Sequence, residues 1–274
     1  MSTTQRKQLS HKDFDAIVAS HKEWLQNHSK GKCARFENVK ISFKFENIDL
    51  TQAVFDNVTM RYICVENVKF DCAEFTDCDL EGSSFENCTF KHTDLGMNKL
   101  SNADFTDCDL TDTCVQSTNF QEVYFINVNF TNVDANGTDF RNADFDNCKF
   151  ENMRYDECTA GFALACPETG AFTAYKKARL YNRDSCIVQL EVPADALRSS
   201  ATTRKCRVSK AKVVAVYDKN GKSIQKNAYS NHTKSFVYRI GQMIEVKNFD
   251  KDRWHECAPG IHCFITKKEA ELYW

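Results

Sequence analysis

From Phe45 to Tyr155 every residue whose number is divisible by five is apolar, 23 positions without a slip of register. Neither an α-helix, with its period of 3.6, nor a strand, with its period of 2, places apolar side chains that way. The residue two places before each is mostly small or apolar, as at Ala53, Val58, Ala73, Cys78, Cys88, Cys108 and Cys148. The residue between is often Asp or Asn, as at Asp49, Asp79, Asp104 and Asn129. Other patterns flank this stretch. Residues 10–28 place Phe14, Ile17, Val18, His21 and Leu25 at helical spacing behind Ser10, with Asp13 three places on, which predicts a capped amphipathic helix. Beyond Cys158, SCIVQLEV (185–192), CRVSKAKVVAVY (206–217) and SFVYRIGQMIEV (235–246) are β-branched, partly alternating runs that predict strands. HCFI (262–265) predicts a fourth, Asn220-Gly221 a turn, and Thr266 with Glu269 the capping box of a terminal helix.

NADFT (102–106), NADFD (142–146) and DCDLE (77–81) resemble the pentapeptide repeat family, whose consensus is a small residue, Asp or Asn, Leu or Phe, a small polar residue, then any residue. The resemblance implies a right-handed quadrilateral β-helix with four pentads to a coil, the central residue and the small one two before it pointing inward. It accounts for the period, because a chain that turns a corner every five residues returns each fifth side chain to the axis. Residues 20 apart then stack, in columns such as Phe85, Phe105, Phe125 and Phe145. Coils about 4.8 Å apart make a rod on the order of 28 Å long, with a dry interior that leaves no room for a ligand. Cys78, Cys88, Cys108, Cys148 and Cys158 occupy the small inward place, and the stacked Cys88 and Cys108 are expected to pack as free thiols. A solenoid end needs a cap; the helix of residues 10–28 can supply it, with residues 31–41 as a first coil out of register.

The chain therefore reads as mainly β. A cap helix over residues 1–30 precedes a β-helix over 31–160 and a small α+β domain, dominated by antiparallel strands, over 161–274. KKARLYNRDSCIVQLEV (176–192), RWHECAPGIHCFITKKEAELY (253–273) and SHKEWLQNHSKGKCARF (20–36) resemble pentapeptide repeat proteins of bacteriophages and gut bacteria that carry an uncharacterised C-terminal domain. That resemblance brings no established activity. It implies a phage origin and, with it, the cytoplasm of a bacterial host.

Charge sharpens the division. The net of −2 conceals 16 Lys+Arg against 27 Asp+Glu in residues 1–160, and 20 against 11 in residues 161–274. An acidic rod repels the DNA backbone, which argues against direct DNA binding. It suits the DNA mimicry by which some pentapeptide repeat proteins occupy gyrase. No run nears the roughly 18 apolar residues of a membrane span, and MSTTQRKQLSHKDF lacks the apolar core of a secretion signal. The 14 cysteines are accordingly expected to be reduced.

Candidate chemistry gathers in the basic half. RSSATTRKCR (198–207) interleaves Arg198, Arg204, Lys205 and Arg207 with Ser199, Ser200, Thr202 and Thr203. Arginine forks and hydroxyls suit a phosphate, and a helix N-terminus near Ser199 would add backbone donors. The alternatives are a solvated basic face or one that docks on the acidic repeats. Arg253, Trp254 and His262 could stack on and grip a base. A zinc site from Cys257, His262 and Cys263 lacks a paired C-x-x-C framework. Phosphate-loop, H-E-x-x-H and G-x-S-x-G signatures are missing, so no enzyme and no cofactor is expected. The expected function is a non-catalytic binding protein holding an anionic, phosphate-bearing ligand such as a host signalling nucleotide. Its ligand set would be Arg198, Ser199, Ser200, Thr202, Arg204, Lys205, Arg207, Arg253, Trp254 and His262. A DNA-mimicking inhibitor that meets a host protein through the acidic solenoid, a structural or assembly protein, and a homo-oligomer remain open.

Overall fold

The structure, a computed structural model, describes residues 6–233 and 236–273. It divides into two compact units, Met1–Ala163 and Leu164–Trp274.

The first unit is a β-helix of about six coils. Residues 20 apart pair in parallel, as in Phe85↔Phe105, Phe105↔Phe125 and Phe125↔Phe145. Their rings stack with centroids 4.9, 5.4 and 5.1 Å apart, so the inner column is continuous. The corners have a conformational cause. From Asn47 to Asn152, the second residue after each central one has φ between 51° and 68°. This left-handed region penalises most side chains and least penalises Gly, Asn and Asp, which explains the recurrence of Asn57, Asn67, Asp77, Asn87, Asn102, Asn127 and Asn147 there.

The small inward position tolerates polar atoms because the wall supplies acceptors. Thr93, Thr113, Thr118 and Thr138 are buried, and each Oγ1 donates to the carbonyl of a central residue 23 positions earlier, at 2.6 to 2.7 Å. Asn98 does the same toward Phe75 at 2.9 Å. Cys78, Cys88 and Cys108 are buried fillers, and all 14 cysteines are free thiols.

The helix spans His11–Gln26, with the Ser10 hydroxyl accepting from the Asp13 N–H. Phe14 packs on Phe36 and Phe45 of the first coils, with centroids 5.5 and 5.0 Å apart, and the His21 Nδ1 accepts the Ala34 N–H at 3.0 Å. Phe36 pairs with Phe55, an offset of 19, so the first coil is out of register as expected. The last coil departs from expectation. Asp139 pairs with Ala160, an offset of 21, so one extra residue enters the coil. Thr159 takes the inward place that the repeat assigned to Cys158, which is exposed; Tyr155 is 53% exposed and Cys148 only half-buried. Phe162 turns in to close the column, 5.8 Å from Phe140 and 5.7 Å from Phe150.

The second unit holds a seven-stranded and a three-stranded sheet, both antiparallel. The larger places Ser223–Ile224, Lys210–Tyr217, Ser185–Val192, Phe172–Arg179, Ala228–Tyr229 and Val237–Tyr238 side by side, with Met243–Glu245 also on Lys210–Tyr217. The smaller joins Arg198–Ser200, Cys206–Val208 and Ile261–Cys263. Ser185–Val192 falls where the alternation put it. The run 206–217 is two strands that change sheet at Ser209, and 235–246 is divided by Gly241 at φ 84°, with Ser235 outside the described residues. The strand Phe172–Arg179 carries no strand signal in the sequence, because Lys176 and Lys177 mask its alternation. Thr266 and Glu269 form the capping box of the helix Lys267–Leu272.

Candidate functional site

The second unit encloses a cavity of about 700 Å³, within the range of small-molecule sites. Three elements position its polar floor. Phe172–Arg179 contributes Lys176, the approach to Cys206–Val208 contributes Lys205, and Ile261–Cys263 contributes His262. Phe236, Tyr238 and Tyr273 add aromatic wall, and Lys247 and Glu245 line another side.

The groups differ in their electrostatics. The Lys205 Nζ lies 2.9 Å from Glu256 Oε2 and 3.6 Å from the Cys257 Sγ. Burial alone would lower its pKa, but the Glu256 carboxylate more than reverses this and raises it. The Lys176 Nζ donates to the His262 main-chain oxygen at 2.9 Å. The His262 Nε2 lies 3.1 Å from the Ala258 carbonyl; a carbonyl only accepts, so Nε2 carries the proton and Nδ1 the lone pair. Burial, reinforced by Lys176 and Lys205, pulls the His262 pKa to about 4. The imidazole is therefore neutral near pH 7, and its folded pKa lies below its ordinary 6.5. Below about pH 6.5 the unfolded chain takes up a proton that the fold refuses, so stability falls as pH drops from about 6.5 toward 4. The Tm of the second unit is expected to fall across that window, and less so in His262→Gln, which keeps a donor for Ala258. Parallel Tm–pH curves for the two proteins would contradict the assignment.

Of the ten residues expected to form a ligand set, Lys205 and His262 line this cavity. The others are held elsewhere. Ser199 lies on the strand Arg198–Ser200, so the helix N-terminus expected there is absent. The Arg198 guanidinium donates to the carbonyls of Pro167, Gly170, Pro193 and Ala194 at 2.8 to 3.1 Å. Arg207 is 2% exposed and donates to the carbonyls of Asp250, Asp252 and Pro259 at 2.7, 2.7 and 3.1 Å, and to the Ser199 Oγ at 3.3 Å. The Ser200 Oγ accepts the Ala165 N–H, and Thr202 is buried. Arg253 donates to Ser200 and Ala201 carbonyls and stacks on Trp254 at 4.4 Å. Arg204 pairs with Glu269 at 2.8 Å. Arg198, Arg207 and Arg253 thus satisfy main-chain carbonyls, a use that hydroxyl-rich basic sequence does not distinguish from anion binding. Lys176, Lys247, Tyr238 and Phe236 were not anticipated; a lysine inside the strand Phe172–Arg179 is the one local signal for Lys176.

The fold thus defines a solenoid of five-residue repeats followed by a separate α+β unit. Residues 73–112, 98–125 and 116–152 match the model of the pentapeptide repeats, with eight copies, and residues 162–270 match a family of unknown function, DUF5758. The chain is a pentapeptide repeat protein with a DUF5758 C-terminal unit. Among solved structures it is similar to a pentapeptide repeat protein of the Arabidopsis thaliana thylakoid lumen, at 24% identity over 35% of this chain and 66% of that one, with a TM-score of 0.34. It is also similar to Rfr23 from the cyanobacterium Cyanothece 51142, at 12% identity over 52% and 97%, TM-score 0.34. A third similar structure is QnrB1, a plasmid-mediated fluoroquinolone resistance protein, at 12% identity over 45% and 84%, TM-score 0.15. No curated protein matches the chain.

Proposed function

We propose that this is a non-catalytic binding protein whose C-terminal unit takes a small anionic, phosphate-bearing ligand, the β-helix serving as its scaffold. The observation that supports this reading is the cavity of about 700 Å³, whose lining holds Lys176, Lys247 and the Glu256-paired Lys205 beside one glutamate, Glu245. Lysines in a concave, partly desolvated site attract an anion more strongly than the same charges on an open surface. The rings of Phe236, Tyr238 and Tyr273 suit a nucleotide base beside the phosphate.

The test is thermal stability of the full chain against mono-, di- and cyclic oligonucleotides. A ligand at 100 times its Kd adds about 2.7 kcal/mol to the folded state. Lys247 is exposed, so Lys247→Glu should leave the fold intact and weaken the ligand about tenfold, roughly 1.4 kcal/mol. Arg204→Ala, which lies outside the cavity lining, should change nothing. Equal shifts in Lys247→Glu and the native chain would refute the site.

A flat panel would favour a second reading, a protein partner met by one acidic face of the β-helix. The strands Phe45–Glu46, Cys64–Glu66, Ser84–Glu86, Asp104–Thr106, Tyr124–Ile126 and Asp144–Asp146 form one sheet and contain no lysine or arginine. Glu46, Glu66 and Glu86 stand in register on it. Such a one-sided charge suits a basic surface that ordinarily meets DNA.

A further inference from the structure

The three lysines of the cavity are not equivalent. Lys205 is neutralised by Glu256 at 2.9 Å, and Lys247 is exposed on the wall. Lys176 is half-buried on the strand Phe172–Arg179 and lines the cavity. Its Nζ donates to a neutral acceptor, the His262 main-chain oxygen, and no carboxylate lies within ion-pair distance of it among the described residues. An ammonium removed from water without a counter-ion is unfavourable. Burial, with the like charge of Lys205 added and the Cys263 thiol opposing, brings its pKa to about 8. Roughly a tenth of such an amine is the free base at pH 7, far more than for an ordinary lysine. One N–H is held by the carbonyl, which leaves the remaining positions on nitrogen, lone pair included, for a molecule in the cavity.

We propose that Lys176 captures small anionic carbonyl compounds, aldehydes or 2-oxo acids, as a reversible imine. The proposal rests on the reading of the cavity as an anion site, with Lys247 and the protonated fraction of Lys176 attracting the charge. The Nζ lone pair attacks the carbonyl carbon; a C–N bond forms as the C=O π pair moves to oxygen, which takes a proton. That oxygen then leaves as water while nitrogen gives up its second proton, and C=N remains. Nothing is oxidised or reduced, and no co-reactant is required. Partial desolvation and a nearby cationic group are the two established means of activating a lysine for this chemistry; here burial leads and the Glu256-paired Lys205 adds to it. Cys257, whose Sγ lies 3.6 Å from the Lys205 Nζ, can add to the same carbonyl, but a hemithioacetal is not reducible by mild hydride and so leaves no stable mark.

Glyoxylate with cyanoborohydride, applied to the full chain and followed by peptide fragmentation that separates Lys176 from Lys177, tests the proposal. Carboxymethylation is expected at Lys176, at least about tenfold above any other lysine, in line with its larger free-amine fraction. Pyrophosphate, an anion without a carbonyl, should protect Lys176. Lys176→Arg should abolish the dominant adduct while retaining the thermal shift given by a nucleotide, because it keeps the charge but cannot form the imine. Labelling spread evenly over exposed lysines, Lys247 included, would overturn the capture site, and this result comes from the native chain without any variant. A positive nucleotide panel with even labelling would defeat the imine alone. Selective labelling with a flat panel and no protection by pyrophosphate would defeat the anion reading on which the proposal rests.

Discussion

An Arg207→Met variant should lose about 3–5 kcal/mol from the C-terminal unit, a large fraction of the roughly 5–15 kcal/mol that holds a domain folded. Methionine fills most of the volume and stays apolar, so the loss is one of polar satisfaction rather than of a cavity. The guanidinium is the donor for three carbonyls, of Asp250, Asp252 and Pro259, in a loop that lacks regular pairing. Burial pulls its pKa down, with Asp250 and Asp252 pushing back, yet arginine remains charged. Hydrogen bonds from a charged donor are worth roughly 1.5–3 kcal/mol each, and the partly buried carbonyls left without that donor add a smaller cost. The neighbourhood is built around this side chain: a Cβ at Gly260 would sit 2.2 Å from Arg207 Cγ, and the Phe249 ring lies 4.9 Å from the guanidinium carbon. Arg207→Lys should recover little, because one ammonium cannot replace a planar fork reaching several carbonyls. The check is urea unfolding with the two units followed separately, since a chain of two units need not unfold in one step. A loss under about 1 kcal/mol would mean that water takes over the carbonyls.

That expectation also marks where sequence reading stopped. Arg198 and Arg207 point to a ligand in the sequence because arginine beside serine and threonine is the composition of a phosphate site, and Arg253 because it adjoins Trp254. The same composition serves a loop-rich domain that needs long, forked donors to reach its own carbonyls. Choosing between the two requires knowing which carbonyls lie within reach, and residues 43 to 52 positions apart supply those for Arg207. Lys176 is inconspicuous for a related reason: it stands in a strand whose fully buried positions are the small Ala174 and Ala178, which mark neither strand nor lysine.

The β-helix was legible because one local rule, repeated, determines it. A central apolar residue, a small residue two before it and a left-handed corner two after it each act over five residues, and stacking then follows without long-range information. The corner itself was overlooked, although Asn57, Asn67, Asn87, Asn127 and Asn147 announce it. Reading failed where the rule ended. The extra residue of the last coil displaced Cys158 outward, and no pattern of period five signals an insertion once the period has stopped.

Phe125→Ala should destabilise the β-helix by about 3–5 kcal/mol, at the upper part of that range. Phe125 is fully buried, with Phe105 and Phe145 stacked on either side at 23° and 7° and Phe120 and Phe130 edge-on at 5.3 and 5.0 Å. The cost of a deleted ring depends on how far the surroundings can collapse. Here they are held apart, since Phe105 and Phe145 are fixed by the parallel pairing of their own strands to Tyr124–Ile126. The void therefore persists, and its walls lose their contacts outright. Phe150→Ala supplies the contrast. Phe150 is only half-buried near the end of the column, where Phe162 and Tyr155 can shift, so its loss should be markedly smaller. Because each coil touches only its neighbours, an interior defect weakens two interfaces at once. Hydrogen exchange should accordingly speed up most in the coils that carry Phe105 and Phe145, and leave the coils near Phe55 protected. Equal losses for the two variants, or uniform exchange along the helix, would show that the unit unfolds as one block rather than as a stack of coupled coils.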